Sequence, residues 1–370
     1  MGLVVKRLSF RNFRNYGSLE LDDLGPLTIF VGPNATGKTN IVEGIQLLTA
    51  QTSFRNPTAA QLVKEGETFA RLDAWFGDGS RQLQSTLQIE DGRKKRLLNG
   101  KAKRAADMRG IMPSVAFTPD DLDLARSAST PRRSALDVLG SQLSANHHRI
   151  CSDYEKSLRS KNRALKDEAP QPLIDSLDEV MILVGAQLSC YRCALFTRLG
   201  EEMSAYYRDI SGGRETLRYG YTPSWMQHDP SKPAHFPFTR DEARQAMAEA
   251  LAARGSEERA RHRALVGPHA DHLDFFIDGR NAAAFGSQGQ KRALVLSFKL
   301  AETSLIEAML GQKPVLLLDD VMGELDAARR RALVEFVSQG IQTFITATDL
   351  SYFSESLIGE ASVLELPFKE

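Results

Sequence analysis

The spacing of apolar residues in the first fifty positions predicts strands followed by a helix. In residues 4–29 apolar positions alternate or cluster in short runs, and polar turns break these runs. This pattern predicts an N-terminal hairpin and a third strand over Leu27 to Val31. After a glycine-bearing loop, Ile41, Ile45 and Leu48 recur at helical spacing. The start of the chain therefore predicts a strand that leads through a loop into a helix.

The middle of the chain changes from β-like to helical patterning. Residues 72–103 contain short apolar runs separated by glycine turns, which predicts an antiparallel meander. Residues 131–210 have leucines at helical spacing, whereas residues 212–237 are rich in Gly, Pro and aromatic residues and predict an irregular segment. Residues 240–263, rich in Ala, Glu and Arg, predict one more helix. The middle is therefore expected to supply a helical lobe.

The last third alternates strands and helices. A hairpin is predicted at Asp278-Gly279, and four further elements follow it in the order helix, strand, helix, strand. They cover residues 289–309, 315–318, 327–338 and 343–347. Strands that alternate with helices are typical of a parallel sheet. The C-terminal third is therefore expected to be α/β.

Composition narrows the class of protein. The chain has 370 residues, with 47 Lys plus Arg against 47 Asp plus Glu. This length suggests two or three compact units, and three cysteines are too few for a disulfide framework. The start lacks the long apolar stretch of a signal peptide, and no membrane span is expected. We therefore expect a cytoplasmic protein whose nucleic-acid binding, if any, depends on local basic patches.

Residues 32–39, GPNATGKT, match the phosphate-binding pattern G-x-x-x-x-G-K-[ST] completely. Glycines let consecutive backbone N–H groups converge on phosphate oxygens, while the lysine reaches the β and γ phosphates. A hydroxyl at the last position ligates Mg²⁺. The predicted strand before the loop and helix after it are the context that the motif requires. The sequence therefore predicts ATP or GTP binding, with Lys38 on the phosphates and Thr39 on the metal.

A second half of the site is predicted near the C-terminus, where the apolar run 315–318 ends in two acids. In this position Asp319 would hold Mg²⁺, directly or through water, and Asp320 would polarise the attacking water. Many buried parallel strands end in Asp, so the run alone is weak. Two neighbouring motifs strengthen it: Asp326 follows in GELD, and residues 285–292, FGSQGQKR, precede it.

The string at 285–292 resembles the signature loop of ABC-type ATPases. The Ser287 hydroxyl, the Gly289 N–H and a helix N-terminus would make an anion site suited to a γ-phosphate. In those ATPases this loop faces the ATP of a second subunit, which implies a dimer held together by ATP. The last core strand is followed by a polar switch residue, and here either Thr346 or Thr348 could take that place.

The combined motifs resemble the RecF family of recombination and gap-repair ATPases, relatives of SMC heads without the long coiled coil. The resemblance spans nearly the whole chain and rests on the opening turn 12–16, the loop 32–40, the segment 117–122, the helix start at 131–137 and the C-terminal motifs. It departs at residues 267–272, where Ala270 and His272 replace the usual Arg and Asp, and at Gly323, which is more often Ser.

The resemblance implies cofactors ATP and Mg²⁺, with Thr39 and Asp319 as metal ligands. It implies that the catalytic residues are Asp320, Lys38, Ser287 and Thr346. It implies the nucleotide-binding residues Gly32, Pro33, Asn34, Ala35, Thr36, Gly37, Lys38, Thr39, Asn40, Ser287, Gly289, Gln290 and Asp326. By this resemblance the protein is a weak, DNA-stimulated ATPase that dimerises on gapped, junction or double-stranded DNA. Slow hydrolysis would release it, and RecR and RecO would be its partners in loading RecA near the nucleoid.

The same resemblance implies an α/β ABC-ATPase head of the SMC/Rad type, with a mixed sheet, an antiparallel meander and a helical lobe. Only 245 residues, 40–284, separate the two half-sites, and no heptad repeat is evident among them. We predict an ATPase lobe over 1–125, a helical lobe over 126–265 and a C-terminal ATPase part over 266–370.

Two basic segments are candidates for DNA contact. Residues 81–109 carry nine basic residues against three acidic ones, an excess that suits phosphate contacts independent of base sequence. The candidates are Arg93, Lys94, Lys95, Arg96, Lys101, Lys103 and Arg104. A solvated hairpin face without a partner is the alternative. A second basic run lies in residues 149–166.

Other functions fit the sequence less well. A small-molecule phosphotransferase has no use for the signature loop, and a transporter ATPase subunit needs a membrane partner and leaves the basic meander unexplained. Only 21 residues, 350–370, follow the switch segment, too few for an added nuclease domain. Cys190 and Cys193 have zinc-like spacing, with Cys151, His147 and His148 as a distant complement. Packing inside a helix is the simpler interpretation of that pair.

Overall fold

The computed structural model describes residues 2–127, 129–234 and 237–367. They pack into two compact units. Unit 1 contains the residues up to Asp121 together with those from Glu302 onward, and unit 2 is Leu122–Ala301. The phosphate-binding loop and the strand with two acids lie in unit 1, and the signature segment 285–292 lies in unit 2.

The described residues form fourteen strands, numbered here in chain order. Their bounds are β1 Val4–Phe13, β2 Tyr16–Leu21, β3 Leu27–Val31, β4 Phe69–Gly77, β5 Gln82–Glu90, β6 Arg93–Leu98, β7 Lys101–Lys103, β8 Ser114–Phe117, β9 Leu217–Thr222, β10 His272–Ile277, β11 Arg280–Asn281, β12 Val315–Asp319, β13 Thr343–Ala347 and β14 Ser362–Glu365.

The same residues form twelve α-helices. Their bounds are α1 Lys38–Leu48, α2 Ala59–Leu62, α3 Ala105–Met108, α4 Asp123–Arg126, α5 Ser129–Leu143, α6 Ala145–Lys166, α7 Gln171–Ile210, α8 Arg240–Arg261, α9 Ala282–Phe285, α10 Gln288–Leu310, α11 Ala327–Val337 and α12 Glu355–Glu360.

Unit 1 consists of two sheets with α1 packed between them. One sheet is antiparallel, in the order β2-β1-β4-β5-β6-β7, and contains the predicted meander. The other is parallel, in the order β14-β3-β13-β12-β8. Ile41, Val42 and Ile45 of α1 are fully buried in one core with side chains from both sheets. The parallel order brings the carboxyl ends of β3, β13 and β12 to the same edge, directly beside the loop that follows β3.

Unit 2 is a set of long helices with a small antiparallel sheet, in the order β11-β10-β9. The helices α6, α7 and α8 pack on one another, and α7 also contacts β9. An apolar window of α7 is long enough to cross a membrane by length and composition alone. Half of that window is buried inside the protein, as in the core helix of a folded domain. The predicted α/β architecture with an antiparallel meander and a helical lobe is confirmed.

The prediction of an irregular segment at 212–237 is wrong in part, because β9 lies inside it. This strand pairs with β10 along its whole length, from His272 opposite Thr222 to Ile277 opposite Leu217. Its partner lies about fifty residues later in the chain, and buried tyrosine and glycine hide the usual alternation. The pairing also places residues 266–301 in unit 2. The three-part division over 1–125, 126–265 and 266–370 stays a prediction.

Candidate nucleotide site

The phosphate-binding loop connects β3 to α1 through two residues with left-handed backbone, Ala35 at φ 65° and Gly37 at φ 102°. The Thr36 hydroxyl donates to the Pro33 carbonyl at 2.9 Å. Glycine suits position 37 because of this left-handed backbone, and also because a side chain would not fit there. A Cβ there would lie 2.5 Å from Asn15 Nδ2 and 2.7 Å from the hydroxyl oxygen of Tyr16. The turn between β1 and β2 therefore packs directly against the loop.

Lys38, the first residue of α1, is 6% exposed. Its ammonium donates to the Gly32 and Pro33 carbonyls, each at 2.7 Å. Burial lowers the pKa of Lys38, and the neighbouring carboxylates of Asp320 and Asp319 oppose that shift. The cation is thus held at the loop by carbonyl groups that phosphate oxygens can replace.

The strand order brings the two predicted metal ligands together. Asp319 ends β12 and is 5% exposed, and it lies opposite Thr346 of β13. Its carboxylate accepts hydrogen bonds from the hydroxyls of Thr346, at 2.8 Å, and Thr39. Burial raises the pKa of Asp319, while these two hydrogen bonds and the nearby charge of Arg55 lower it. An anionic oxygen and a hydroxyl oxygen side by side are the hard donors that Mg²⁺ prefers.

Asp320 follows β12 in a left-handed conformation, at φ 55°. Its backbone N–H donates to the Thr346 hydroxyl at 2.9 Å. Aspartate is one of the few residues other than glycine that adopt this conformation readily. Asp319 is buried and Asp320 is partly exposed. One acid is therefore held in the protein and the other faces outward.

The structure separates the two candidate switch residues. Thr346 is fully buried, and its hydroxyl connects Asp319 with the backbone of Asp320. Thr348, two residues beyond, is half-buried. Thr346 is therefore placed as a positioning residue for the two acids, and its predicted role as a catalytic switch stays a prediction.

Sequence patterns did not reveal a buried ionic network behind the loop. Glu43 of α1 is fully buried, and Arg14 donates to it twice, at 2.8 and 2.9 Å. The Ser53 hydroxyl donates to the same carboxylate at 2.7 Å. Arg55 donates to Asn40 at 2.9 Å and lies 3.6 Å from Glu43. The one sequence signal for this network was an acid, Glu43, among the apolar residues of the predicted helix. The network holds α1 against the residues that flank the loop.

The signature segment begins α10 with a capping box. The Ser287 hydroxyl accepts from the Gln290 N–H at 3.2 Å, and the Gln290 side chain accepts from the Ser287 N–H at 2.8 Å. Gln290 also donates to Glu215 at 2.9 Å. Ser287 is exposed, and Gly289 is half-buried in the first turn. The segment thus presents a helix N-terminus with an exposed hydroxyl, while the Gln290 amide holds the turn.

Asp326 occupies the N-cap of α11. Its carboxylate accepts from the Arg329 N–H at 3.0 Å and forms an ion pair with the Arg329 side chain. About half of the Asp326 side chain, 54%, is exposed. The cap explains why an aspartate suits this position, and the predicted contact of Asp326 with nucleotide stays a prediction.

The basic meander divides between the two faces of its strands. Arg93 and Lys95 on β6 are exposed, as are Lys101 and Lys103 on β7. Lys94 and Arg96 are half-buried, burial lowers the pKa of each, and Arg96 donates to Gln51 at 3.1 Å. Arg104 is exposed and pairs with Asp107 at 2.9 Å. In the register of β6 and β7, Lys101 and Lys103 lie opposite Leu98 and Arg96, so they share a sheet face with Lys94 and Arg96, and Arg93 and Lys95 lie on the other face. Four of the seven predicted DNA-contacting residues are therefore exposed without an ion pair to a described residue, two on each face.

The second basic run does not form the surface that its sequence suggested. Lys161 is fully buried, and its ammonium lies 2.5 Å from carboxylate oxygens of Asp178 and Glu258. Lys156 and Arg159 pair with acids of the same helix, at 3.2 and 3.6 Å. Including Lys161 in a DNA surface was wrong, because three helices enclose it and two acids neutralise it.

Cys151 and the loop residue Asp271 are both buried in unit 2. Cys151 lies close to Asp137 and His147, but Asp137 already accepts two hydrogen bonds from buried Arg192, at 2.8 and 2.6 Å. Burial raises the pKa of the Cys151 thiol. Asp271 is fully buried and accepts from Ser189, Tyr221 and the Ser224 N–H at 2.5–2.8 Å. These polar groups are therefore satisfied within unit 2.

A parallel sheet that carries a phosphate-binding loop beside a strand ending in two acids defines a P-loop ATPase, and the antiparallel sheet and helical unit are those of an ABC-type head. Residues 4–361 match the family model described as RecF/RecN/SMC N terminal domain. The chain belongs to the RecF family within this class.

Relatives along the whole chain support the same family. The chain is 34% identical over 378 residues to the DNA replication and repair protein RecF of Picosynechococcus sp., with 98% of this chain and 95% of that protein covered. It is 33% identical over 371 residues to the protein of that name from Heliobacterium modesticaldum, with 98% and 97% covered. The chain thus spans nearly the full length of both relatives.

Solved structures agree with this assignment. A structure of the recombination mediator protein RecF with ATP, in the RecFOR pathway, matches with a TM-score of 0.84 and 29% identity over 95% of this chain and 94% of that one. An Smc head domain from Pyrococcus furiosus matches with a TM-score of 0.54 and 13% identity over 98% and 93%, which shows a shared fold alone.

Proposed function

We propose that this protein is a DNA replication and repair ATPase that uses ATP binding to dimerise on DNA and slow hydrolysis to leave it. The observation that carries the proposal is the arrangement around Thr346. One buried hydroxyl connects Asp319 and the Asp320 backbone at the sheet edge where the loop with Lys38 begins. This arrangement supports binding of a nucleoside triphosphate and attack by water on its γ-phosphate.

Each residue has a chemical task in this proposal. Backbone N–H groups of the loop and the Lys38 ammonium hold the phosphates. Thr39 and Asp319 would hold Mg²⁺, which neutralises charge on the phosphate oxygens. Asp320 accepts a proton from the attacking water. Asp320 suits this task because it is partly exposed and its backbone is fixed by Thr346.

The signature segment completes the site from a second copy. Ser287 and the N-terminus of α10 form a polar surface that suits an anionic γ-phosphate. A dimer with two such composite sites closes only when nucleotide is present. Hydrolysis removes the γ-phosphate and with it the link between the copies.

DNA is the proposed substrate for this clamp. The basic surface at the β6–β7 end of the antiparallel sheet has four exposed cations, with Arg93 and Lys95 on one face and Lys101 and Lys103 on the other. Such a surface suits phosphate contacts that do not depend on base sequence. Two copies would bring two such surfaces to one duplex. The relatives in the RecFOR pathway favour RecO and RecR as partners, and a cytoplasmic location at the nucleoid.

Sizing the protein by sedimentation, with and without ATP and a gapped duplex, tests the proposal. We expect monomers without nucleotide and dimers with ATP, more strongly with the gapped duplex present. A monomer under every condition would contradict the clamp. The variant Ser287→Arg places a bulky cation at the start of α10 and should abolish ATP-induced dimerisation while ATP still binds the monomer.

The same variant separates the clamp from a small-molecule phosphotransferase, which would keep its nucleotide turnover as a monomer. Ser338→Arg is the matched control, because Ser338 is an exposed serine at the end of α11. This control should dimerise as the unmodified protein does.

A further inference from the structure

Among the described residues, the most exposed large apolar side chain belongs to the first residue of the signature segment. Phe285 is 63% exposed, and the Arg280 guanidinium lies 4.8 Å from the centre of its ring. A single exposed apolar residue is ordinary on a protein surface. This one differs because an arginine covers one face of the ring and because only Gly286 separates it from Ser287.

The ring is presented by a well-fixed piece of backbone. Phe285 ends α9, whose first turn is capped by the Asn281 side chain at 3.0 Å from the Ala283 N–H. The Gly286 N–H donates to the Ala282 carbonyl at 3.0 Å, and Lys291 of the next helix donates to the Ala283 carbonyl at 2.9 Å. Little conformational entropy is therefore left to lose if the backbone around Phe285 becomes part of an interface.

We propose that Phe285 and Arg280 form an anchor that is buried against the second copy of this chain when ATP closes the dimer. The inference rests on the proposed function, because it takes Ser287 to meet the nucleotide bound by that copy. Consecutive Cα atoms are about 3.8 Å apart, so the Cα atoms of Phe285 and Ser287 are at most about 8 Å apart. A second copy that contacts Ser287 is therefore close enough to contact Phe285 as well. Aromatic and arginine side chains at the centre of interfaces commonly carry most of the binding energy.

The surroundings favour a protein partner over a nucleic acid. Ala284, next to the ring, is exposed and apolar. Lys291 is bound to a backbone carbonyl, and Arg126 donates to Gln288 at 2.8 Å. A surface that follows DNA phosphates needs several cations directed at solvent. Around Phe285 the Arg280 guanidinium lies over the ring and the Lys291 ammonium is bound to a backbone carbonyl, so these cations are engaged within the protein.

The test measures dimerisation of the full chain by sedimentation in ATPγS with Mg²⁺. We expect Phe285→Ala to weaken the dimer by roughly 10- to 100-fold, and Arg280→Ala to weaken it by a smaller factor. Both variants should bind a fluorescent ATP analogue as the unmodified protein does, at concentrations where it is monomeric. Met309→Ala is the matched control, because Met309 is 45% exposed and lies far along α10 from Ser287.

The outcomes separate this inference from the proposed function. If the unmodified protein stays monomeric with ATPγS, the proposed function fails and the anchor fails with it. If it dimerises and Phe285→Ala dimerises equally well, only the anchor is wrong. If that variant dimerises normally but loses affinity for single-stranded DNA, the ring stacks on bases and the assignment to a second copy is overturned.

Discussion

The two halves of the proposed nucleotide site differ in how their polar groups are hydrogen-bonded in the absence of ligand. On the loop side, Lys38, Asp319 and Thr346 are at most 6% exposed, and each is hydrogen-bonded. On the signature side, Ser287 is exposed and Phe285 is 63% exposed. One half is buried and already organised, and the other faces solvent.

This difference suggests a division of work. Buried polar groups that are already oriented need little reorganisation when a ligand binds, which suits ATP binding and the chemical step. An exposed helix N-terminus with an exposed ring contributes only when another surface covers it. Changes in the loop half should therefore alter binding or chemistry in one copy, whereas changes in the signature half should alter association between copies.

The largest effect is expected for Asp320→Asn. An amide cannot accept the proton of the attacking water, so hydrolysis should fall by about 10²- to 10⁴-fold. ATP affinity should stay within a few-fold, and the protein should persist as an ATP-bound dimer on DNA. Phosphate release measures the rate, and Glu360→Gln, an exposed carboxylate of the same unit, is the control. Normal hydrolysis by Asp320→Asn would show that another group is the base.

A smaller effect, on binding, is expected for Lys38→Met. The variant removes a cation that would hold two phosphates, and each such hydrogen bond contributes about 1.5–3 kcal/mol. ATP affinity should fall by about 100-fold or more, as measured by equilibrium binding of a fluorescent analogue. Lys6→Met, at an exposed lysine of unit 1, should bind normally. Unchanged ATP affinity in Lys38→Met would show that the phosphate-binding loop does not bind the nucleotide.

Thr346→Val tests whether hydrolysis depends on the hydrogen bonds that hold Asp319 and Asp320 in place. Valine keeps the shape but leaves Asp319 one hydrogen bond short and the Asp320 N–H without its acceptor. We expect hydrolysis to fall by about tenfold, since such a bond contributes about 1–2 kcal/mol, with ATP affinity little changed. Thr346→Ser keeps the hydroxyl and should restore most of the rate. A normal rate in Thr346→Val would point to Thr348 as the switch residue.

The same variant predicts a shift in pH dependence. The hydrogen bond from Thr346 stabilises the charged form of Asp319 and lowers its pKa, against the effect of burial. Its loss should raise the pKa of that carboxyl, so the acid limb of the hydrolysis profile should move to higher pH. Thr346→Ser should keep the original profile.

The parts of the fold that the sequence predicted well are those with short-range signals. The bounds of β3 and β13 were predicted to the residue, because each is an apolar run between turn residues. The phosphate-binding loop is eight contiguous residues, and its types are dictated by backbone geometry. These signals need no knowledge of what packs nearby.

The parts that could not be predicted depend on distant partners. Lys161 forms a buried ion pair with Glu258, which is 97 residues away in the sequence. The basic run around Lys161 therefore did not reveal that other helices cover this side chain. The strand β9 needs β10, about fifty residues later, to be recognised. Glu43 and Arg14 likewise meet only in the folded unit. Paired charges of this kind look like surface charges in a sequence.

The smallest effect is expected for Gln290→Ala, which tests the signature half. The family resemblance implies that Gln290 contacts nucleotide, and in the structure its amide completes the capping box with Ser287 and donates to Glu215. Loss of the cap should lower the free energy of unfolding by about 1 kcal/mol, measured by urea denaturation, and weaken ATP-dependent dimerisation by about fivefold. Gln290→Glu keeps an acceptor for the Ser287 N–H but sets a second carboxylate against Glu215, so it separates the two contacts. If Gln290→Ala instead abolishes dimerisation at unchanged stability, Gln290 contacts the nucleotide of the second copy directly. The signature half would then bind nucleotide itself, in addition to joining the two copies.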